Sequence, residues 1–380
     1  MKIVIAPDSF KGSLTAKEVG VAIKKGVQKA APTAEVVVMP MADGGEGTLQ
    51  CLIDATGGQI WETTVKNPLG RDITAAFGIL GDGNTCVIEM AAASGLYLIG
   101  PQERNPLLTT TYGFGQLIKA GLDHGCRRFI LGLGGSATNE GGAGMLQALG
   151  YELQDEAGSS IGYGGGELGK LVRIETENAD PRLAECTFVI ACDVDNPFVG
   201  PNGASFVFGP QKGADAKAVQ LLDDHLRHFA NITEATTGVA IHDVPGTGAA
   251  GGVAGALLAF LGGTLKSGID IVMETTRLAE VMQGADLVIT GEGQVDFQTA
   301  QGKTPCGVAR LAQKSGIPTI VIAGSIGQGI EALYEQGVTA LTSIVNRPMS
   351  LDEAMTKAPE LLEQAAEQIM RIYFIQGGCQ

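Results

Sequence analysis

Positive charge is scarce in this chain of 380 residues: 26 Lys and Arg stand against 41 Asp and Glu, a formal net charge of −15. That balance argues against nucleic acid as a partner, because neutralising phosphates takes clustered Lys and Arg. It leaves anionic small molecules open, since a few local cations and a metal ion can reverse the field in a cleft. Histidine is nearly absent, at four residues. His124, His225 and His228 fall on helical, charged stretches and His242 in a loop, so no Ser-His-Asp arrangement is suggested. The seven cysteines, at 51, 86, 126, 186, 192, 306 and 379, are odd in number and form no Cys-x-x-Cys pair. They read as scattered reduced thiols of a cytosolic protein rather than a disulfide or zinc framework. No secretory leader is expected either, because the first apolar run, Lys2 to Ala6, breaks at once into Pro7-Asp8. Only Val244 to Leu265 is uncharged and long enough to span a bilayer, but it holds Pro245 and seven glycines. A Gly-Ala loop entering a buried helix is expected there, and the chain is expected to be cytoplasmic.

Glycine is what the sequence has in excess: 56 residues, roughly twice the average share. The glycines cluster directly after apolar runs, where loops bring backbone close to a ligand. The repeated pattern is an apolar β-branched run, a Gly- or Asp-rich turn, then a helical stretch. Runs at 2–6, 35–39, 128–133, 188–192, 286–290 and 319–323 follow it. Strands apolar throughout are buried on both faces, the mark of a parallel sheet in an α/β protein. Thr15 and Glu18 make a capping box for a helix over roughly 15–30, and an amphipathic helix is expected over 351–373. Residues 62–112 alternate polar and apolar around turns at 67–70 and 81–84, which reads as antiparallel strands. A doubly wound parallel-sheet domain is therefore expected from 1–65 plus 286–380, with a different α/β domain inserted over 66–285.

Ligands in open parallel sheets bind beyond the carboxyl ends of strands. Asp8, Asp43, Glu46, Glu292 and Asp296 all follow strands of the terminal domain. Carboxylates gathered beside Gly-rich backbone suit a Mg²⁺ that bridges phosphate oxygens, although each alone could merely cap a turn. The loop Gly132 to Asn139 is the clearest phosphate candidate, with Gly134, Gly135, Ser136 and Thr138 offering backbone N–H groups or hydroxyls at an expected helix start. Gly132-x-Gly134-x-x-Ala137 also approaches a dinucleotide fingerprint, so a nicotinamide-dependent oxidoreductase acting on a hydroxy acid is a rival reading. A non-catalytic small-molecule binder is a second rival. Gly302-Lys303-Thr304 fails as a P-loop, because Phe297 occupies the position of the first glycine. Lys11, Lys212 and Lys303, each in a short or Gly-flanked turn, are the candidate cations for phosphate or carboxylate charge.

Taken together, the motifs resemble bacterial glycerate kinases of the first class. They run in order along nearly the whole chain: Ala6 to Leu14, Ala42 to Thr48, Glu89 to Leu96, Gly134 to Gly144, Ala191 to Pro197, Gly209 to Ala214, Gly248 to Gly252, and Thr290 to Gly293 with Asp296. The resemblance implies two domains, one flavodoxin-like and one similar to a restriction-endonuclease-like fold without that activity. It implies ATP-dependent phosphorylation of D-glycerate, usually to 2-phosphoglycerate, in sugar-acid or glyoxylate breakdown. Glycerate and ATP are then the partners, with no nucleic acid and no membrane, and a homodimer stays open beside a monomer. The 3-phosphate stays open as product. On this reading Asp193 or Asp296 activates the attacking hydroxyl, Lys11 assists catalysis, and Asp43, Glu46 or Glu292 holds Mg²⁺. Asp8, Ser13, the Gly134–Thr138 loop, Lys212 and Lys303 bind substrate or phosphate.

Overall fold

The structure, a computed structural model, describes residues 1–45 and 47–376. Its strands are β1 (Lys2–Ile5), β2 (Glu35–Val38), β3 (Gln59–Lys66), β4 (Asp72–Ile79), β5 (Thr85–Glu89), β6 (Arg128–Gly132), β7 (Glu152–Gln154), β8 (Arg173–Glu175), β9 (Thr187–Ala191), β10 (Thr264–Lys266), β11 (Leu287–Val295), β12 (Thr319–Ile326) and β13 (Val338–Ser343). The chain divides into two compact units. One comprises Met1–Asp43, Gln50–Ala55 and Ile269–Gln380; the other comprises Gly44–Leu49 and Thr56–Gly268.

In the terminal unit, five strands form one sheet in the order β13-β12-β11-β1-β2. Every neighbouring pair is parallel. Counted within this unit alone, the order is 2-1-3-4-5, so its switch point falls between β1 and β11. Alternate strand residues serve different cores, as the period of two demands. Ile3, Ile5, Leu287 and Ile289 pack with Val19, Ile23, Leu362 and Ala366 of the helices Ala16–Ala30 and Ala358–Gln376. Val321 and Ala323 instead pack with Cys306 and Ala309 of the helix Thr304–Lys314. The capping box is present: Thr15 accepts from the Glu18 N–H, and Glu18 accepts from the Thr15 N–H at 2.9 Å.

The inserted unit has a mixed six-stranded sheet in the order β10-β9-β6-β5-β4-β3. β10, β9, β6 and β5 run parallel, while β3/β4 and β4/β5 are antiparallel. Phe77, Phe114, Phe129, Phe198 and Phe229 fill its core. β7 and β8 form a separate hairpin. The antiparallel expectation over 62–112 holds only as far as β5, which pairs parallel with β6; 91–103 is a succession of short helical turns. Val244 to Leu265 carries Ala250, Gly251 and Gly252 in the left-handed region before the helix Val253–Leu261. Among the described residues no helix is long and apolar enough to cross a membrane.

Candidate active site

Asp8 lies just past β1, and its N–H donates to the Gly291 carbonyl of β11 at 2.8 Å, which pins it at the switch point. The carboxylate is buried and accepts from Thr304 Oγ1 at 2.7 Å and the Ser9 N–H at 2.6 Å. Burial, then the charge of Asp43, pushes its pKa up to about 6 against the pull of the Thr304 hydroxyl. The sequence places Glu292 in a turn after a strand that ends at 290; instead β11 continues to Val295 and carries Glu292 within it. The strand can continue because Gly291 has no Cβ: one placed there would fall 2.0 Å from the Ile322 carbonyl oxygen of β12. Glu292 is buried and accepts from the Thr299 hydroxyl. Burial raises its pKa to about 7, helped by Asp8 and Asp43 and opposed by Thr299 and Lys303.

Asp8, Lys11, Ser13, Glu292 and Lys303 line a single cavity of about 530 Å³. The Ser13 hydroxyl is engaged there with the Met355 carbonyl, to which it donates at 2.7 Å. Asp43 follows β2, and both Asp8 and Glu292 feel its charge. Asp296 does not line this cavity. Its Oδ1 accepts from the Gln298 N–H at 2.9 Å and its Oδ2 from Gln294 Nε2 at 3.1 Å, the pattern of a residue that closes a turn. Glu46 lies outside the described residues.

The inserted unit gathers a second set. β6 ends at Gly132, and no helix begins before Ala143, so the Gly-x-Gly run lacks the helix that a dinucleotide site needs. The expected helix start at Gly134–Thr138 is therefore replaced by an open loop. Gly135 sits at φ +71°, the Ala137 N–H donates to the Ser94 carbonyl, and Ser136 bridges to Gly95. Behind the loop stands Lys212, buried, with Nζ donating to Ser136 Oγ at 2.9 Å and to the Thr138 carbonyl at 2.7 Å. Burial alone pulls its pKa down to about 7. Ser94 Oγ, Thr138 Oγ1 and Asn139 Oδ1 are buried nearby without a hydrogen-bond partner among the described residues.

Buried Glu140 anchors the far end of the loop, accepting from the Thr111 N–H and hydroxyl and the Gly144 and Gly164 N–H groups. Burial pushes its pKa up in spite of those donors. Asp193 follows β9 and accepts from the Gly268 N–H at 3.0 Å. Register aligns Glu89, Gly132, Ala191 and Lys266 across the carboxyl ends of the parallel strands. Sequence reasoning assigns no role to Glu89 or Lys266. The signal that could have found them is position, since each is the last residue of its strand.

Parallel strands with acids, lysines and glycine loops at their carboxyl ends characterise α/β enzymes of small molecules. Comparison with known proteins gives the family. The Glycerate kinase family model matches residues 3–374. A Bacillus subtilis glycerate kinase is 52% identical over 97% of both chains, and an Escherichia coli glycerate 2-kinase is 49% identical over 97% of both. A crystal structure of a provisionally named glycerate kinase 2 from Salmonella typhimurium superposes with a TM-score of 0.92 at 44% identity, covering 99% of each chain. The chain belongs to the glycerate kinase family.

Proposed function

We propose that this protein transfers the γ-phosphoryl group of ATP to the 2-hydroxyl of D-glycerate, giving 2-phosphoglycerate and ADP. The observation that carries this reading is end-to-end similarity, at 49% identity, to an enzyme named glycerate 2-kinase. The strand order 2-1-3-4-5 supports a flavodoxin-like terminal domain. The inserted domain, on the family resemblance, is restriction-endonuclease-like.

The residues fit a hard divalent cation. Asp8, Asp43 and Glu292 supply oxygen ligands; burial and then the charge of Asp43 make Asp8 hold its proton more tightly than an ordinary carboxyl, and burial, with Asp8 and Asp43, does the same for Glu292. Among the described residues no three such groups converge on one point. Mg²⁺ needs no protein cage, since it takes one or two carboxylates and completes its shell with phosphate oxygens and water. We assign Asp43 and Glu292 to it, with Asp8 beside them; when bound, the ion offsets phosphate charge. Lys11 and Lys303 add positive charge to the transferred group. The Gly134–Thr138 loop, backed by Lys212, holds a substrate anion. Asp193 takes the proton from the attacking hydroxyl, and Asp296 shapes its turn.

Incubation with D-glycerate, ATP and Mg²⁺, followed by ³¹P and ¹³C NMR, tests the reaction. In the proton-coupled phosphorus spectrum a doublet from the single proton on C2 is expected, and a triplet from the two protons on C3 would overturn the regiochemistry. Asp193→Asn should lower kcat about 100-fold or more, with a far smaller loss in Asp296→Asn. The reverse order would exchange their roles.

A further inference from the structure

The cavity of the terminal unit is larger and less polar than glycerate requires. It begins at Asp8, Lys11 and Glu292, crosses β12 at Gly324 and Ser325, and ends beyond β13 at Ile344 and Val345. Three strand spacings separate β1 from β13, so the cavity runs roughly 14 Å along the sheet edge. Its lining changes character on the way. The end at β1 and β11 is charged; the end at β13 is closed by Ile344, Val345, Met349, Leu351 and Met355. Glycerate carries an oxygen on every carbon and offers nothing for such a wall to cover. The wall is also held in place, because Ser13 bonds the Met355 carbonyl and Ser343 Oγ both donates to the Gly324 carbonyl at 3.0 Å and accepts from the Val345 N–H at 3.1 Å. Leu351 is 73% exposed and Val345 41%, so apolar area is left uncovered at the rim.

We propose that this cavity seats the nucleoside of ATP, with the base against Ile344, Val345, Met349 and Met355 and the phosphates running toward Lys11 and Lys303. Thioethers suit an aromatic base, because polarizable sulfur makes favourable contacts with a ring and unbranched chains adapt to its outline. A few charged groups at one end of an apolar pocket fix orientation. The charged end coincides with the switch point, where open parallel sheets bind their ligands. The proposal rests on the ATP-dependent reading above and adds where the nucleotide lies.

Ala354 lines the cavity, is half-buried and takes no part in the chemistry. Ala354→Trp should raise KM for ATP at least about tenfold, leaving KM for glycerate and kcat at saturating ATP within a few-fold of the parent. A rise in KM for glycerate instead, or no change in either, would overturn the assignment. Photolabelling of the unaltered protein with 8-azido-ATP needs no variant to fold. Label is expected within residues 344–358, displaced by ADP and not by glycerate, and label confined elsewhere refutes the proposal. If the unaltered protein formed no ADP from ATP and glycerate, the functional reading would fail by itself, and the photolabel would still decide the pocket.

Discussion

A lysine with no carboxylate against its ammonium is costly to bury, and among the described residues none stands against Lys212. Its named partners are neutral, Ser136 Oγ and the Thr138 carbonyl, and burial holds its pKa at about 7. In the unfolded chain the group returns to its ordinary value near 10.5. Between those values the unfolded chain binds the extra proton, so stability rises with pH across that window. Below about pH 7 both states are charged and the full cost of the buried charge is present. Lys212→Met removes the charge and keeps much of the volume. Its stability relative to the parent should therefore be greatest at pH 6 and decline toward pH 10, measured by urea midpoints at pH 6, 8 and 10. A difference constant with pH would show that Lys212 titrates normally. A basic residue among glycines is visible in sequence; its burial is not, because burial depends on which loop folds over it. Glu292 shows the same limit: the sequence marks a carboxylate near a strand end, but only pairing with β12 shows that it lies in the strand.

At the scale of elements, the helices Ala16–Ala30 and Ala358–Gln376 touch through glycine. A Cβ on Gly26 would sit 2.1 Å from the Glu363 carbonyl oxygen and 2.8 Å from the Ala366 Cβ. Helix propensity favours alanine over glycine by about 1 kcal/mol. Overpacking costs about 1–3 kcal/mol, and here the obstacle is backbone that cannot rotate away. The overlap should win, and Gly26→Ala is expected to destabilise by about 2 kcal/mol in chemical denaturation; a gain in stability would mean that the helices separate at little cost. The first helix is legible in the sequence because its cap is local: Thr15 and Glu18 are three residues apart. The apolar strands β1, β6 and β9 are legible because they are buried on both faces. β13 is not, since it lies at the sheet edge and only Val338 is fully buried along it. β10 has three residues, too few for any period to show. Periodicity joins 351–373 into one helix, but Ser350 caps a separate short helix, Leu351–Thr356, that supplies part of the cavity wall.

For the whole molecule, charge governs how ligands approach. A net −15 surrounds a protein proposed to bind two anions, so its long-range field repels both substrates while Lys11 and Lys303 attract at contact. Salt acts differently on the two. The Debye length falls from about 30 Å at 0.01 M to about 8 Å at 0.15 M, which removes the distant repulsion first. Lys303 is half-buried and its contact attraction is screened less. kcat/KM for ATP should therefore rise a few-fold between these ionic strengths at fixed free Mg²⁺, then fall at several tenths molar as the contacts weaken. The choice of salt should not matter at the low end, because bulk screening is indifferent to ion identity, and KCl and NaCl titrations should coincide there. A monotonic fall from the lowest ionic strength would mean that the basic end of the cavity outweighs the molecular charge even at long range. That outcome would place more positive potential around Lys11 and Lys303 than two lysines beside Asp8, Asp43 and Glu292 can supply.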